Sequence, residues 1–288
     1  MRVPAPDVSV WIDGRKARCD EAGIPLDDPA CHVGLGVFET IAVREGRILE
    51  LTEHLARLGG GAALMGVPLP ADERMRATLT EAAADASPLG WLKVIATRGG
   101  HWYVLTGILD PDAEPETASA VILPWRRNPR DPLAGVKTIS YAANELGLEE
   151  AARRGADEGL WLNTLGLLAE GCTSNVFVVH RRKLFTPGTE QGILPGVVRG
   201  IVLQSARRIG LTVHEGKVRI ERLRHATEAF LTSSLRGVRP LVELEGRPVG
   251  SGRVGTVTLE IARKVRRVRG LSGDPVSDAG RPGPSGVH

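Results

Sequence analysis

Strand-like and helix-like hydrophobic patterns alternate along this 288-residue chain, and one segment interrupts them. That segment, RRNPRDPLAG at 126–135, is rich in proline and charge, a composition typical of a linker between domains. Because a chain of this length can form two modest domains, we predict a smaller N-terminal α/β domain over residues 1–125 and a larger C-terminal domain over 136–269. Residues 270–288 have the composition of a disordered tail.

The predicted elements before this segment combine strands and helices. Alternating or continuous apolar runs predict strands, and a repeat of three to four residues predicts helices. Strands are predicted at 8–13, in two parts of 36–51 around the Glu45–Gly46 turn, at 91–98 and at 118–125. Helices are predicted from Thr52, whose hydroxyl can cap the first turn, and over about 71–86.

The predicted elements after the segment follow the same rules. Proline is well placed just inside the start of a helix, so a helix is predicted from Pro195. Two further helices are predicted, at about 142–154 and near 221–226. A hairpin is predicted to turn at Asn163–Gly166 and to be followed by a strand that ends at Val179. Three more strands are predicted at 183–186, 211–214 and 228–234.

Charge and composition exclude several classes of protein. The net charge of +3 is too small for a dedicated nucleic-acid-binding protein, and RRVRG at 266–270 is typical of a solvated helix end. No apolar run reaches the roughly 18 residues of a membrane span. The cysteines, Cys19, Cys31 and Cys172, are odd in number and lack disulfide or metal-ligand spacing. We therefore predict a cytoplasmic protein with no metal site and no membrane or nucleic-acid partner.

Two residue types suggest chemistry. Glu170 opens the motif EGCTSNVF between strand-like segments, and a buried carboxylate there needs a cationic or proton-donating partner. The alternative is a glutamate on an edge strand that faces water. Lysine is scarce: of 37 basic residues, six are lysines, and a lysine can release a proton whereas an arginine cannot. The candidates considered for catalysis are Lys137 and Lys93.

Five segments together resemble the class IV pyridoxal-phosphate enzymes, which include branched-chain and D-amino-acid aminotransferases and 4-amino-4-deoxychorismate lyase. In order, they are GLGVFETIAVREGRILELTEHLARL (34–58), KTISYAANELGLEEAARRGADEGLWLN (137–163), EGCTSNVFVV (170–179), LFTPGTEQGILPGVVRG (184–200) and FLTSSLRGVRPL (230–241). The resemblance implies a two-domain α+β fold like that of D-amino-acid aminotransferase (fold type IV). It also implies pyridoxal 5'-phosphate between the domains, bound mainly by the C-terminal one, and a homodimer.

The resemblance assigns the central roles to Lys137 and Glu170. Lys137 matches the lysine that forms the Schiff base with the cofactor and then moves a proton at the reacting carbon of the substrate. Lys93 is the rival, in the middle of a strand and outside the matching motifs. Glu170 matches the carboxylate that contacts the pyridine nitrogen. On this view its partner is the cofactor, and no protein cation is expected beside it.

The resemblance also implies how phosphate is bound. Arg57 matches a phosphate-binding arginine, although a helix-surface arginine is the simpler interpretation. The backbone of Val197 and Val198 opens a helix and can bind the anion, but many relatives have a hydroxyl residue where Val198 stands. Ser234 matches a second phosphate-contacting hydroxyl, or is an ordinary serine at the end of a strand.

The substrate pocket is expected to include Phe38, Thr40, Leu235 and Arg236, and Arg236 could bind an extra carboxylate. The VFET and SSLRGVRP segments are closest in motif to the lyase branch, which releases pyruvate to give 4-aminobenzoate. The alternatives are transamination of D- or branched-chain amino acids, a dual activity, or a non-catalytic relative that binds a small molecule.

Overall fold

The computed structural model describes residues 8–110 and 116–271, which form two compact units. The first unit contains residues 8–110 together with Val136–Tyr141. The second contains residues 116–135 and the residues from Ala142 onward. Among the helices of the described residues, none has both the length and the apolar character that crossing a membrane requires.

The first unit is an antiparallel sheet with helices packed against it. Its elements are β1 (Ser9–Ile12), β2 (Arg15–Ala17), α1 (Pro29–Val33), β3 (Gly36–Arg44), β4 (Arg47–Ile48), α2 (Leu51–Met65), α3 (Asp72–Asp85), β5 (Leu89–Thr97) and β6 (Trp102–Ile108), with a 3₁₀ turn at Cys19–Glu21. The six strands lie in the order β2-β1-β6-β5-β3-β4.

Strand β3 presents different chemistry on its two faces, because successive side chains of a strand point to opposite sides. Val37 and Glu39 lie on the face that α2 covers, where a Cβ on Gly61 of α2 would lie 3.3 Å from Val37. Phe38 and Thr40 lie on the other face, and Thr40 pairs with Lys93 of β5.

Helix α2 continues through the three glycines at 59–61 because one of its faces is buried against the sheet. It begins at Leu51, and Glu50 precedes it in a left-handed conformation without a side-chain cap. The predicted cap by Thr52 is therefore wrong. The buried apolar residues of α2 are Leu55, Leu58, Ala62 and Met65.

The short segment Val136–Tyr141 adds to β3. The amide of Phe38 donates to the carbonyl of Lys137 over 2.9 Å, and the amide of Ile139 donates to the carbonyl of Gly36 over 3.0 Å. A Cβ on Gly36 would lie 2.7 Å from the Ile139 side chain, so only glycine allows this approach. The backbone of Lys137 is therefore fixed to the sheet of the first unit.

The second unit contains a larger mixed sheet. Its elements are β7 (Ala118–Arg127), α4 (Ala142–Arg153), β8 (Glu158–Asn163), β9 (Leu168–Gly171), β10 (Asn175–His180), β11 (Lys183–Pro187), α5 (Val197–Arg208), β12 (Thr212–Gly216), α6 (Ile220–Arg224), β13 (Glu228–Ser233), β14 (Gly237–Leu244), β15 (Arg247–Pro248) and α7 (Thr256–Val268), with a 3₁₀ turn at Thr189–Gln191. The strands lie in the order β12-β11-β10-β13-β14-β7-β8-β9, and β15 pairs with β14.

Both faces of this sheet are buried. On one face, Phe177 of β10 and Phe230 of β13 stack with centroids 4.9 Å apart in a core that α5 and α7 share. Helix α7 contributes Val257, Ile261 and Val265, spaced four residues apart along one side. The opposite face packs a second core with α6. Strands buried on both faces explain the long apolar runs in the sequence.

The predicted domain division differs from the observed units. Strand β7 pairs in parallel with β14 and β8, so residues 118–125 lie in the second unit although we predicted them in the N-terminal domain. The predicted linker, 126–135, also lies in the second unit, and β7 extends to Arg127. The predicted tail lies outside the described residues apart from its first two positions.

Several other elements differ from the sequence-based expectation. Helix α5 starts at Val197 with Gly196 at its N-cap, so Pro195 precedes the helix and does not lie in its first turn. Strand β6 and the pair β14 and α7 had no predicted counterpart. Strand β6 was missed because the TRGGH turn joins it directly to β5.

Candidate active site

An amine lies against aromatic rings in the first unit. Nζ of Lys137 is 4.3 Å from the ring centroid of Phe38 and 5.3 Å from that of Tyr141. The two rings meet edge to face with centroids 5.2 Å apart. Because the backbone of Lys137 is hydrogen-bonded to β3, the structure holds this half-buried amine in a defined place on an apolar surface.

The rival lysine lies against the same ring. Nζ of Lys93 is 4.8 Å from the centroid of Phe38. Lys93 is half-buried and directly opposite Thr40, so Phe38, Thr40 and Lys93 share one face of the sheet. Sequence reasoning placed Lys93 outside the matching motifs, whereas the fold brings it beside the ring that Lys137 contacts. The choice between the two amines therefore needs a direct chemical test.

On the opposite face of β3, Arg57 belongs to a buried ionic cluster. Its Nε and one terminal nitrogen donate to the two carboxylate oxygens of Glu39, each over 2.7 Å. Nδ1 of His54 lies 2.7 Å from the same carboxylate. Glu39 and His54 are fully buried, and the Arg57 side chain is 12% exposed, so it is not a helix-surface arginine.

The positively charged and hydrogen-bonding partners in this cluster lower the pKa of Glu39. Burial by itself raises the pKa of Glu39, but the hydrogen bonds and charges of Arg57 and His54 outweigh it and hold the pKa at about 2. Sequence reasoning found Arg57 but not its partners. One signal in the sequence could have indicated that Glu39 is buried: it lies two residues from Val37 and from Ile41, on the same face of the strand as these apolar residues.

In the second unit, Glu170 at 5% exposure is buried in β9, which excludes the alternative of a glutamate facing water. Its carboxylate accepts hydrogen bonds from the amide of Leu194 at 2.8 Å and from Nδ2 of Asn175 at 3.4 Å. The guanidinium of Arg127 also donates to it. The expectation that no protein cation lies beside Glu170 is therefore wrong.

Arg127 is itself held in place from two sides. Another nitrogen of its guanidinium donates to the side-chain oxygen of Asn144 on α4, and its Cζ lies 4.9 Å from the Trp161 ring. Composition assigned Arg127 to a linker, but Arg127 is the last residue of β7. It contacts Glu170, which is 43 residues later in the sequence. This contact orients the Glu170 carboxylate and places a positive charge beside it.

Helix α5 offers backbone donors for an anion. The first amides of a helix have no acceptor within it, and the dipole of the helix adds positive potential at the same end. Gly196 at the N-cap leaves room for the Asn175 side chain, because a Cβ there would lie 2.0 Å from Oδ1 of Asn175. The Val197 side chain is half-buried and that of Val198 lies in the core, so only their amides suit this role.

A small polar cavity of about 60 Å³ lies at the ends of β10, β13 and β14. Its lining includes Arg236 and Arg239 and four hydroxyl side chains, those of Thr173, Ser174, Thr232 and Ser233. Oγ1 of Thr232 is buried without a hydrogen-bond partner in the described structure. Ser234 and Leu235 are half-buried in the same turn. Thr232 pairs with Val238 of β14 and Leu231 with Arg239, so the side chains of Thr232 and Arg239 lie on opposite faces of the sheet.

A third buried carboxylate supports this region. Glu158, at 4% exposure, accepts hydrogen bonds from three backbone amides and from the hydroxyls of Thr173 and Ser174. Burial raises its pKa, and these neutral donors only partly offset that effect. Glu158 therefore fixes the turn between β9 and β10, which lines the cavity.

Known proteins that are similar to this chain over most of its length include two that are named as aminotransferases. The branched-chain-amino-acid aminotransferase of Escherichia coli K12 is 28% identical over 88% of this chain and 90% of its own length. The D-alanine aminotransferase of Bacillus licheniformis is 28% identical over 88% of this chain and 94% of its length.

Two solved structures share the fold. A hypothetical aminotransferase from Mycobacterium tuberculosis in a PLP-bound form has a TM-score of 0.81 at 28% identity, covering 91% of this chain and 98% of its own. A structure from Legionella pneumophila described as a 4-amino-4-deoxychorismate lyase has a TM-score of 0.77, covering 85% and 95% of the two chains. At 24% identity, the latter likeness concerns the fold alone.

The residues present fit pyridoxal 5'-phosphate. Its aldehyde requires an amine, its ring nitrogen a carboxylate, and its phosphate a set of donors. Lys137, the buried Glu170 and the amides of α5 provide these groups. The family model for class IV aminotransferases matches residues 36–244, most of the chain. The protein is therefore an enzyme that uses pyridoxal 5'-phosphate, and it belongs to the class IV aminotransferase family.

Proposed function

We propose that the protein is an amino-acid transaminase in which Lys137 attaches the cofactor and moves the reacting proton. The observation that carries this proposal is the placement of the Lys137 amine, 4.3 Å from the Phe38 ring on a backbone hydrogen-bonded to β3. Relatives that cover most of the chain and are named as branched-chain and D-alanine aminotransferases support this reaction class.

Lys137 is suited to proton transfer for two reasons. A lysine amine can gain and lose a proton at accessible pH, whereas a guanidinium cannot. The rings of Phe38 and Tyr141 provide an apolar surface that limits water around Nζ and restricts its motion. When bound, pyridoxal 5'-phosphate supplies an aldehyde for covalent attachment of amines and a ring that takes up electrons.

Glu170 holds the proton on the pyridine nitrogen in this proposal. Its carboxylate is oriented by the guanidinium of Arg127 and by the amide of Leu194, so its oxygens are held in a fixed direction. A protonated nitrogen strengthens the electron demand of the ring. Arg127 acts through Glu170 and is a positioning residue.

We assign the phosphate to three elements. The amides of Val197 and Val198 at the N-terminus of α5 are backbone donors, and Ser234 adds a hydroxyl. Arg57 contributes charge, and Glu39 fixes its orientation through two hydrogen bonds of 2.7 Å. A bidentate pairing of this kind leaves the guanidinium little rotational freedom.

A second candidate is 4-amino-4-deoxychorismate lyase, the reaction that sequence motifs placed first. Its supporting observation is Arg236 in the polar cavity, because the lyase substrate carries an extra carboxylate. The same lysine would remove a proton, pyruvate would leave, and aromatisation would favour 4-aminobenzoate. The curated relatives above are named as transaminases, which is why we place transamination first.

One assay separates the two reactions. Purified holoenzyme is offered aminodeoxychorismate, and separately a panel of D- and L-amino acids with 2-oxo acids. New amino acid supports the transaminase, whereas pyruvate together with aminobenzoate supports the lyase. Failure of both, in protein that binds the cofactor, contradicts the proposed function.

Two lysine variants test the assignment of the amine. Lys137→Ala should lose turnover, and it should lose the cofactor absorbance that stays with the denatured protein after borohydride reduction, because that absorbance reports covalent attachment. Lys93→Ala is the matched control, because its Nζ contacts the same Phe38 ring. We expect that variant to keep the absorbance. The opposite pattern would transfer the role to Lys93.

A homodimer, which the family resemblance implies, and a cytoplasmic location, which the cysteine content indicated, are part of the proposal. Light scattering on the purified holoenzyme tests the first: a mass near twice that of the 30.8 kDa chain is expected, and a monomer contradicts it.

A further inference from the structure

The basic run RRVRG at 266–270 is not uniformly solvated, although its composition is typical of a solvated helix end. Arg267 is exposed, whereas Arg269, at the C-cap of α7, is only 7% exposed. The expectation of a solvated end is therefore wrong for Arg269. Removing a guanidinium from water is costly unless its nitrogens find acceptors, so the burial of Arg269 requires specific partners.

Helix α7 brings Arg269 to one end of the sheet in the second unit. The buried side of the helix, which includes Ile261 and Val265, shares a core with Phe230 of β13 and Val238 of β14. The amide of Arg269 donates to the carbonyl of Val265 over 3.0 Å, so the helical backbone continues to this residue. The guanidinium therefore extends from a backbone that is fixed relative to β13 and β14.

The guanidinium of Arg269 contacts the hairpin loop between these two strands. Ser233 pairs with Gly237, so the loop consists of residues 234–236. Nη2 of Arg269 donates to the carbonyl of Ser234 over 2.8 Å. A Cβ on Gly237 would lie 3.4 Å from Nη1 of the same guanidinium. Arg269 thus binds the first residue of the loop and lies against the residue that follows it.

The conformation of this loop depends on such support. Gly237 has a φ of +68°, the left-handed conformation that commonly closes a three-residue hairpin loop. Within the loop, the amide of Arg236 donates to Oγ of Ser233 over 3.4 Å, a long and therefore weak hydrogen bond. The bond from Arg269 to the Ser234 carbonyl is shorter, and an ionised donor makes it roughly twice as strong as a neutral one.

We propose that Arg269 is a positioning residue for the cofactor, because it fixes the loop from which Ser234 contributes its hydroxyl to the phosphate. This inference rests on the proposed function, which assigns part of the phosphate contact to Ser234. A hydroxyl on a loop that is already fixed loses less conformational freedom when the phosphate binds, and it binds more tightly for that reason. Arg269 acts through Ser234.

The first test compares two ligands of the apoprotein. Pyridoxal has the aldehyde and ring of pyridoxal 5'-phosphate but lacks the phosphate, so the ratio of their dissociation constants isolates the phosphate contacts. Ser234→Ala should lower the preference for pyridoxal 5'-phosphate by about three- to tenfold, the scale of one hydrogen bond. Arg269→Met should lower it by a similar factor and change pyridoxal binding by less than about twofold. Equal losses for both ligands overturn the proposal.

Arg267→Met is the matched control. It removes the same charge from the same turn of α7, but at an exposed position, and should leave the ratio unchanged. A ratio lowered as much in Arg267→Met as in Arg269→Met would reflect a general charge effect and overturn the proposal.

A double variant tests whether Arg269 acts through Ser234. In protein that already carries Ser234→Ala, Arg269→Met should lower the ratio no further, because the hydroxyl that Arg269 positions is absent. Effects that multiply would mean that the two residues act independently, which overturns the proposal.

Hydrogen exchange of the apoprotein measures the loop without any cofactor. Arg269→Met should speed exchange of the amides at 234–237 by about tenfold, the scale of one charge-assisted hydrogen bond, and Arg267→Met should not. Unchanged exchange in Arg269→Met overturns the proposal. If that variant does not fold, Arg269→Lys replaces it with Arg267→Lys as its control. Lysine keeps one donor without the fork, so a smaller loss of the ratio is expected at 269 than at no position, and equal ratios in the two lysine variants overturn the proposal.

The two levels of proposal fail differently. If Ser234→Ala leaves the ratio unchanged, the assignment of the phosphate to Ser234 is wrong and the role of Arg269 is wrong with it. If Ser234→Ala lowers the ratio but Arg269→Met does not, the role of Arg269 alone is wrong. A wild-type protein that transaminates nothing overturns the proposed reaction, whereas a ratio that depends on both residues would still support the positioning role.

Discussion

Glu39 in the first unit and Glu158 in the second are both buried carboxylates, yet their pKa values are shifted in opposite directions. Burial is the largest influence on both and raises the pKa. Glu39 has a guanidinium and an imidazole as partners, and its pKa is held at about 2. Glu158 has five neutral donors, and its pKa stays raised.

The difference shows that the charge of the partner, more than the number of hydrogen bonds, decides the ionisation of a buried acid. Glu170 shares with Glu39 a guanidinium partner, because Arg127 donates to it. A carboxylate that must hold a proton on a cofactor nitrogen needs such a cation to remain ionised. Glu158 instead stabilises a turn, a task that does not require full charge.

The largest expected effect is on turnover. Glu170→Ala should keep the fold and lower turnover by roughly 100- to 1,000-fold, the scale of removing one electrostatic stabiliser from an active site. Glu243→Ala, at an exposed glutamate of β14, is the matched control and should have no effect. Turnover in Glu170→Ala equal to that of the control would show that Glu170 has no electronic role.

The next largest effect is on stability. Glu39→Gln should lower the free energy of unfolding at pH 7 by roughly 3 kcal/mol, the free-energy equivalent of a pKa held at about 2 instead of 4.5. It should also weaken pyridoxal 5'-phosphate more than pyridoxal, because Arg57 loses its orientation. Urea denaturation measures the first effect. Glu53→Gln, at an exposed position of α2, is the control. An equally small change in the free energy of unfolding in both variants would contradict the cluster's role.

The pH dependence of stability should have opposite signs for the two carboxylates. Glu39 has a lowered folded pKa, so its contribution is present above pH 4.5 and is lost as pH falls towards about 2. Glu158 has a raised folded pKa, so its contribution is present at low pH and is lost as pH rises through that pKa. Unfolding of wild type, Glu39→Gln and Glu158→Gln across this range measures both, and slopes of the same sign would break the comparison.

The smallest effect concerns thiol reactivity near Glu158. Burial, followed by the charge of Glu158, raises the pKa of Cys172 to about 12. Cys19 and Cys31 are exposed. Iodoacetamide should therefore label those two in the native protein and leave Cys172 unmodified until denaturant is added, as peptide mass spectrometry can check. Rapid labelling of Cys172 would mean that this region opens readily.

The sequence predicted most strands and helices because local periodicity determines them. It also predicted that Glu170 is buried, since its neighbours on both sides are apolar. Arg127 was wrongly predicted to lie in a linker, because composition describes only the local segment. The residues that contact Arg127 lie in β9 and α4 and include Trp161, all of them distant in the sequence. Glu39 and His54 were missed for a similar reason: their pairing depends on how α2 lies on β3.

Lys93 shows the same limit. The motif search gave it no role, but antiparallel pairing of β5 with β3 places its amine 4.8 Å from the Phe38 ring. Register, which a single sequence specifies poorly, determines which lysines share a face.

The most direct test of the central claim is to identify the lysine that carries the cofactor. Holoenzyme is reduced with borohydride, digested, and the peptides are analysed by mass spectrometry. The proposed mechanism predicts the phosphopyridoxyl group on the peptide containing residue 137. Finding it on the peptide containing residue 93, or on neither, would contradict that mechanism.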